Sequence, residues 1–157
     1  MNTSQKMRNV GKNNFMRKLA LSDEILLKIS QPARYIGGEV NMVKKDPSKV
    51  AVRFAMCFPD VYEIGMSHLG MKILYAAMNQ QSDMLCERAF MPWVDMIDLM
   101  KQEKVPLFTL ESRSPLSAFD VVGFTLQYEM SYSNILAMLE LGGIPLLREN
   151  RREEDPI

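Results

Sequence analysis

The side chains best suited to chemistry lie in one short stretch after an apolar segment: Asp60, Tyr62, Glu63 and His68. Asp60 and Glu63 could act as an acid–base pair, because a protonated and an ionised carboxyl group can exchange protons with a substrate. Carboxylates beside a helix start more often stabilise that helix end, and we favour this structural role for both.

His68 is the only imidazole in the chain, and imidazole is a common metal ligand and proton carrier near neutral pH. Ser67 or Ser131 could serve as a nucleophile beside it, but the Gly-x-Ser-x-Gly turn that exposes such a serine is absent. A lone histidine in a first helical turn is more often a packing or capping residue. We therefore expect a structural role for His68.

The only two cysteines, Cys57 and Cys86, each lie within an apolar segment. This pattern predicts reduced thiols in the core rather than a disulfide, and hence a cytoplasmic location. A closed zinc or iron–sulfur site needs three or four converging Cys or His ligands. No self-contained metal site is predicted.

Length and charge limit the class of protein. The 157 residues, 47% of them hydrophobic, suffice for one domain with a core. Lysine plus arginine balance aspartate plus glutamate at 19 each, so no overall field attracts nucleic acid or an acidic membrane. No apolar stretch reaches the roughly 18 residues of a spanning helix. Small molecules and protein surfaces are the expected partners.

Apolar strands alternate with helical patterns along the second part of the chain. The strands are predicted at Val50–Phe58, Met84–Phe90, Leu107–Leu110 and Asp120–Gln127, with a further one at Ile144–Leu147. Helices are predicted from about Met66, from Val94 through Met100, and over Tyr132–Leu141, the last ended by Gly142-Gly143. The pattern predicts an α/β fold with a doubly wound, Rossmann-like, mostly parallel sheet that is incomplete at its carboxyl end.

The first part of the chain reads as an extension to this domain. Residues 1–20 form a mobile leader, and residues 21–49 a helix followed by a hairpin. Ser22 begins the helix as its cap, Pro32 ends it, and Asp46-Pro47-Ser48 turns the hairpin. Gly37-Gly38 reads as a simple bend rather than an anion-holding turn. The α/β domain then covers residues 50–157.

Because the carboxyl ends of parallel strands share one edge of a sheet, the first and fourth strands bring two loops together. The first loop contributes the chemistry-bearing residues named above. The fourth strand adds Thr125, Gln127, Tyr128 and Glu129. This edge is the expected ligand pocket.

Several separated blocks of the sequence resemble one known family. These blocks are Pro32 to Glu39, Phe58 to Gly70, Glu111-Ser112-Arg113 and Gly123 to Tyr132. In that order they resemble the amino-terminal region of cobalamin-binding-type radical S-adenosylmethionine (radical SAM) proteins. The resemblance covers nearly all of the chain from about residue 20.

The resemblance implies a cofactor site with one substitution. Related cobalamin domains have Asp-x-His-x-x-Gly, whose histidine ligates cobalt, where this chain has Asp60, Tyr62 and Gly65. Tyrosine is not a neutral nitrogen ligand, so cobalamin would bind base-off without a protein histidine on the metal. His68 is the alternative ligand, but it lies six residues beyond the matching position. Thr125, followed by Leu126 and Gln127, matches a Ser-x-Leu element whose hydroxyl contacts the nucleotide tail, and Tyr128 lies beside it.

The family's radical chemistry lies outside this chain. In that family a Cys-x-x-x-Cys-x-x-Cys loop of a later barrel domain holds the iron–sulfur cluster through which S-adenosylmethionine is cleaved. The resemblance implies this barrel domain as the partner. The resemblance therefore implies a truncated, ligand-binding or domain-docking region that is not catalytic on its own. The alternative is a standalone protein-interaction or signalling module with the same Rossmann-like fold. A reading frame that continues into the cysteine motif would favour the first interpretation.

Overall fold

Three apolar segments pair into a parallel sheet in the computed structural model, which describes residues 23–157. The strands are β1 (Val52–Phe58), β2 (Met84–Phe90) and β3 (Val121–Phe124), in the order β2-β1-β3. β1 is central, with Phe54 opposite Cys86 on one side and Val121 on the other. The predicted parallel sheet is confirmed, although β1 begins at Val52 rather than Val50.

Helices cover both faces of this sheet. They are α1 (Asp23–Leu26), α2 (Tyr62–Ser67), α3 (Leu69–Gln80), α4 (Val94–Glu103) and α5 (Ser131–Leu141). Single 3₁₀ turns lie at Pro32–Tyr35, Pro47–Lys49, Leu116–Ala118 and Arg148–Asn150. The α3 helix packs on one face and α4 and α5 on the other, so the doubly wound α/β prediction is confirmed. Among the described residues, no helix has the length and apolar character needed to cross a bilayer.

Alternate side chains of β1 supply the two cores. Met56 and Phe58 join α3 on one face, whereas Ala55 and Cys57 join α4 and α5 on the other. Both cysteines are buried and unpaired, as expected. Four of the buried methionines fill space under these helices: Met71, Met96, Met100 and Met138.

The end of α5 follows the predicted glycine cap. Gly143 has a φ of +70°, and its N–H donates to the Glu140 carbonyl at 3.0 Å. The Ile144 N–H donates to the Leu139 carbonyl at 2.9 Å, which completes a Schellman motif. The predicted strand at Ile144–Leu147 is wrong. The Ile144 N–H is already bonded within this cap, and Pro145 has no N–H to donate to a neighbouring strand.

The predicted third strand, Leu107–Leu110, is also wrong. Only Phe108 forms an isolated antiparallel bridge, to Pro115. Two bonds flank this pair, from the Thr109 N–H to the Ser114 carbonyl and from the Leu116 N–H to the Leu107 carbonyl, each at 3.0 Å. The bridge does not extend into a strand, because the Leu107 and Leu110 N–H groups donate elsewhere, to the Leu141 and Arg88 carbonyls at 2.8 and 2.7 Å.

The amino-terminal extension differs from its prediction. α1 ends at Leu26, well before Pro32, and Ser22 and the leader lie outside the described residues. No hairpin forms over residues 40–49. The Val43 N–H bonds to the Tyr75 hydroxyl at 2.9 Å instead of to a second strand. Gly37 and Gly38 have φ values of +68° and +93°, a backbone conformation that glycine adopts readily.

Candidate functional site

The carboxyl ends of β1 and β3 lie side by side. The Thr125 N–H donates to the Cys57 carbonyl at 3.1 Å, and the Asn134 side-chain amide donates to the Pro59 carbonyl at 2.9 Å. The loops after the two strands therefore share one edge. After β1 the chain forms β2 on one side of it and then crosses over to form β3 on the other side. The carboxyl ends of β1 and β3 are therefore a topological switch point, where open α/β sheets usually bind ligands.

Tyr62 is the first residue of α2 rather than part of a loop. Helix formation starts earlier than the predicted Met66 because the Gly65 N–H already bonds to the Val61 carbonyl at 3.1 Å. The Tyr62 phenol donates to Glu39 at 2.7 Å, and its ring makes an edge contact with Phe90, at the end of β2. Burial, then the hydrogen bond to Glu39, raises the pKa of Tyr62 to about 12. The phenol is thus a neutral donor in a structural bond.

His68 lies between α2 and α3 and caps the second of these helices. Its Nδ1 accepts a hydrogen bond from the Met71 N–H at 3.2 Å, and its ring lies 5.3 Å from that of Phe58. The structure therefore gives His68 the capping role that the sequence favoured. Its Nδ1 lone pair is committed to the backbone.

Gly65 is buried within α2 for a packing reason. A Cβ atom at this position would overlap the ring of Phe90 and lie 3.1 Å from Phe58. The carboxylates of Asp60, before α2, and of Glu63, in its first turn, also have separate partners. The Asp60 carboxylate accepts from the Val61 N–H, whereas Glu63 accepts from Arg34 at 2.8 Å.

The β3 side of the edge is more open. The Thr125 hydroxyl oxygen is buried without a hydrogen-bond partner among the described residues. Gln127 and Tyr128, just beyond it, are exposed. The N-terminus of α5 follows at Ser131, where no side chain caps the helix. The Ser131 and Tyr132 N–H groups donate to the Tyr128 and Glu129 carbonyls instead, so the unsatisfied group on this side of the edge is the Thr125 hydroxyl.

Sequence reasoning missed a buried charged network on β2. Arg88 bonds to Glu111 through its side chain and through its backbone N–H, each at 2.7 Å, and its guanidinium lies over Tyr75. Glu87 accepts bonds from Thr109 at 2.6 Å and from Ser112. Burial raises the pKa of Glu111, although Arg88 opposes that shift. The adjacent charges in an otherwise apolar strand were the available signal.

The cavity that touches Tyr62 lies toward β2 rather than β3. It is lined by Arg34, Arg88, Phe90 and Phe108, among others, and its volume is about 20 Å³, room for roughly one water molecule. A corrin-sized ligand would have to rest on the open edge of the sheet. Within the described part of the chain, no group of three or more His, Cys, Asp or Glu residues could hold a metal ion.

Comparison with protein families matches residues 70–157, just over half of the chain, to the family described as radical SAM proteins, N-terminal. No curated protein and no solved structure gives a significant match.

Proposed function

This chain belongs to the family of radical SAM N-terminal domains. We propose that it is the non-catalytic amino-terminal domain of a radical SAM protein and that its ligand site lies at the β1–β3 edge. The iron–sulfur cluster and S-adenosylmethionine would then bind to a barrel domain encoded after it. The positions of the two cysteines support a cluster site outside this domain. Cys57 and Cys86 belong to cores on opposite faces of the sheet, so they cannot converge on one cluster. Burial raises the pKa of Cys86 to about 12.

The ligand proposed for this edge is cobalamin, held without a protein ligand on cobalt. His68 and Tyr62 already have structural hydrogen bonds, so the first loop provides no metal ligand. The single observation that supports binding is the buried Thr125 hydroxyl without a partner at the switch point. Thr125, Gln127 and Tyr128 would hold the ligand from the β3 side and Asp60 from the β1 side. Bound cobalamin would supply organocobalt chemistry to the barrel.

Titration with cobalamin, followed by visible absorbance and calorimetry, tests this proposal. The Thr125→Val variant keeps the shape of the side chain and removes its hydroxyl. Loss of one hydrogen bond worth about 0.5–1.5 kcal/mol should weaken binding about 2- to 13-fold. Ser133→Ala is the control, because this exposed α5 hydroxyl already bonds to the Met130 carbonyl of its own helix end. Absence of binding by the unmodified protein would sink the cofactor proposal.

A protein-docking role is the second candidate, and exposed apolar side chains beside the same edge favour it. Met130 and Tyr132 are 80% and 57% exposed, and Leu126, Tyr128 and Leu136 are also exposed. Such a cluster fits contact with the barrel domain of the same protein. Met130→Asp should then weaken association with the separately purified barrel while cobalamin affinity stays constant. Unchanged association would argue against docking at this surface.

A further inference from the structure

At the outer edge of β3, Ile157 makes the first pair of backbone hydrogen bonds of a further parallel strand; this pair of bonds is called the rung. The Ile157 N–H donates to the Asp120 carbonyl at 3.1 Å, and the Ile157 carbonyl accepts from the Val122 N–H at 2.9 Å. The two bonds flank Val121, which is the pattern of a parallel ladder with Val121 opposite Ile157. The backbone at Ile157 therefore already runs alongside β3.

Beyond this rung the edge is open. The Thr125 N–H points toward β1, where it bonds to Cys57. Because successive N–H groups of a strand point to opposite sides, the Phe124 N–H and the Val122 carbonyl point outward. An exposed strand edge of this kind is a template for pairing with another strand.

An apolar groove of about 120 Å³ accompanies the open edge. Its apolar lining comes from β3, from α5 and its cap, and from the last two residues, and Arg151 adds one charged side chain: Val122, Phe124, Leu139, Ile144, Pro156 and Ile157. Val122 and Phe124 pack on the same face as α4 and α5. Side chains of an added strand that point to this face would fill the groove.

We propose that the residues encoded directly after Ile157 form a fourth parallel strand along β3, giving the order β2-β1-β3-β4. This inference rests on the proposed function, in which the chain is the amino-terminal part of a longer protein. The rung fixes the register: the first and third residues after Ile157 lie opposite Val122 and Phe124, and they are apolar. The resulting order is that of a flavodoxin-like doubly wound sheet, whose ligands bind between β1 and β3.

Amide hydrogen exchange at the Phe124 N–H tests the added strand, because this outward-pointing group would become hydrogen-bonded to it. The protein ending at Ile157 is compared with the same protein extended by the next roughly ten residues of its natural reading frame. The Phe124 N–H should exchange at least about 100-fold more slowly in the extended protein. The Thr125 N–H, bonded to Cys57 in both, is the internal control.

Equal exchange of Phe124 in the two proteins, with Thr125 protected, would overturn the inference. So would a reading frame that stops at Ile157, or protection that disappears on dilution, since dilution separates a second copy paired at this edge. The cobalamin titration is independent of this result. A protected Phe124 without cobalamin binding would refute the cofactor and leave the fourth strand in place.

Discussion

The phenol of Tyr62 donates a 2.7 Å hydrogen bond to the Oε1 atom of Glu39, a residue of the amino-terminal extension. The other oxygen of Glu39 is buried and has no partner among the described residues. Tyr62 thus ties the extension to α2, the first helix after β1. Its role can be tested apart from any ligand.

Tyr62→Phe should lower the free energy of unfolding by about 1–3 kcal/mol, because it leaves the partly buried Glu39 carboxylate without its donor. Denaturant titration measures the change. Tyr132→Phe is the matched control, since that ring is 57% exposed, and should change stability by less than about 0.5 kcal/mol. Weaker cobalamin binding with unchanged stability would instead identify Tyr62 as a ligand contact.

His68→Ala should destabilise the protein by about 0.5–2 kcal/mol through loss of the α3 cap. His68→Asn should recover most of that loss, because asparagine is a good N-cap residue. Both variants should bind cobalamin with unchanged affinity and an unchanged visible spectrum. If binding is abolished in both variants, although asparagine restores the cap, the imidazole ligates cobalt and the histidine-free site is wrong.

Gly65→Ala should destabilise by about 1–3 kcal/mol, because the added methyl group overlaps the Phe90 ring in a packed core. Gly70→Ala provides the comparison within the next helix. Its Cβ would meet only the His68 ring, at 3.1 Å, and alanine is favoured over glycine in helices by about 1 kcal/mol. In thermal unfolding, the Tm of Gly70→Ala should equal or exceed that of the unmodified protein. Equal effects of both changes would contradict the packing role of Gly65.

Glu111→Ala should cost about 3–5 kcal/mol, because it leaves the Arg88 guanidinium buried without its carboxylate. Glu103→Ala breaks a 3.3 Å pair with Lys28, in which both side chains are about half exposed. That change should cost at most about 1 kcal/mol. Urea unfolding of the two variants measures the difference, and similar losses would mean that the Arg88 pair contributes no more than a surface pair.

The Asp95 carboxylate should make stability depend on pH in the acid range. Ser30 donates to it through its backbone N–H and its hydroxyl, at 2.8 and 2.7 Å, and these bonds lower the pKa of Asp95. A lowered folded-state pKa means that the stabilisation is present above the unfolded value, near 3.9, and is lost as pH falls through the folded value. Asp95→Asn should therefore cost about 1 kcal/mol near neutral pH.

Unfolding curves collected between neutral and strongly acidic pH check this dependence. The difference between Asp95→Asn and the unmodified protein should shrink as pH falls below the unfolded pKa. Asp98→Asn, at an exposed position of the same helix, is the control variant. A difference that is constant with pH would exclude the ionised Asp95 as its source.

The sequence alone determined the fold class and several local structures. Apolar strands separated by helical patterns predicted a parallel sheet covered on both faces, and Gly142-Gly143 predicted the end of α5. These features depend on burial and backbone conformation within one segment, which periodicity and glycine placement report directly. The segments Leu107–Leu110 and Ile144–Leu147 had the same apolar character, but the Leu107 and Ile144 N–H groups donate to carbonyls at the end of α5 instead of to a neighbouring strand.

Only the tertiary structure decided what the chemistry-bearing residues do. Tyr62 bonds to Glu39 and Arg88 to Glu111, each across more than 20 residues of sequence, and the Thr125 hydroxyl is left buried without a partner. A motif such as Asp60-x-Tyr62-x-x-Gly65 indicates which polar groups are available between a strand and the helix that follows it. Which hydrogen bonds they make depends on the packing of distant segments, because a buried polar group bonds to whatever donor or acceptor the fold brings within reach.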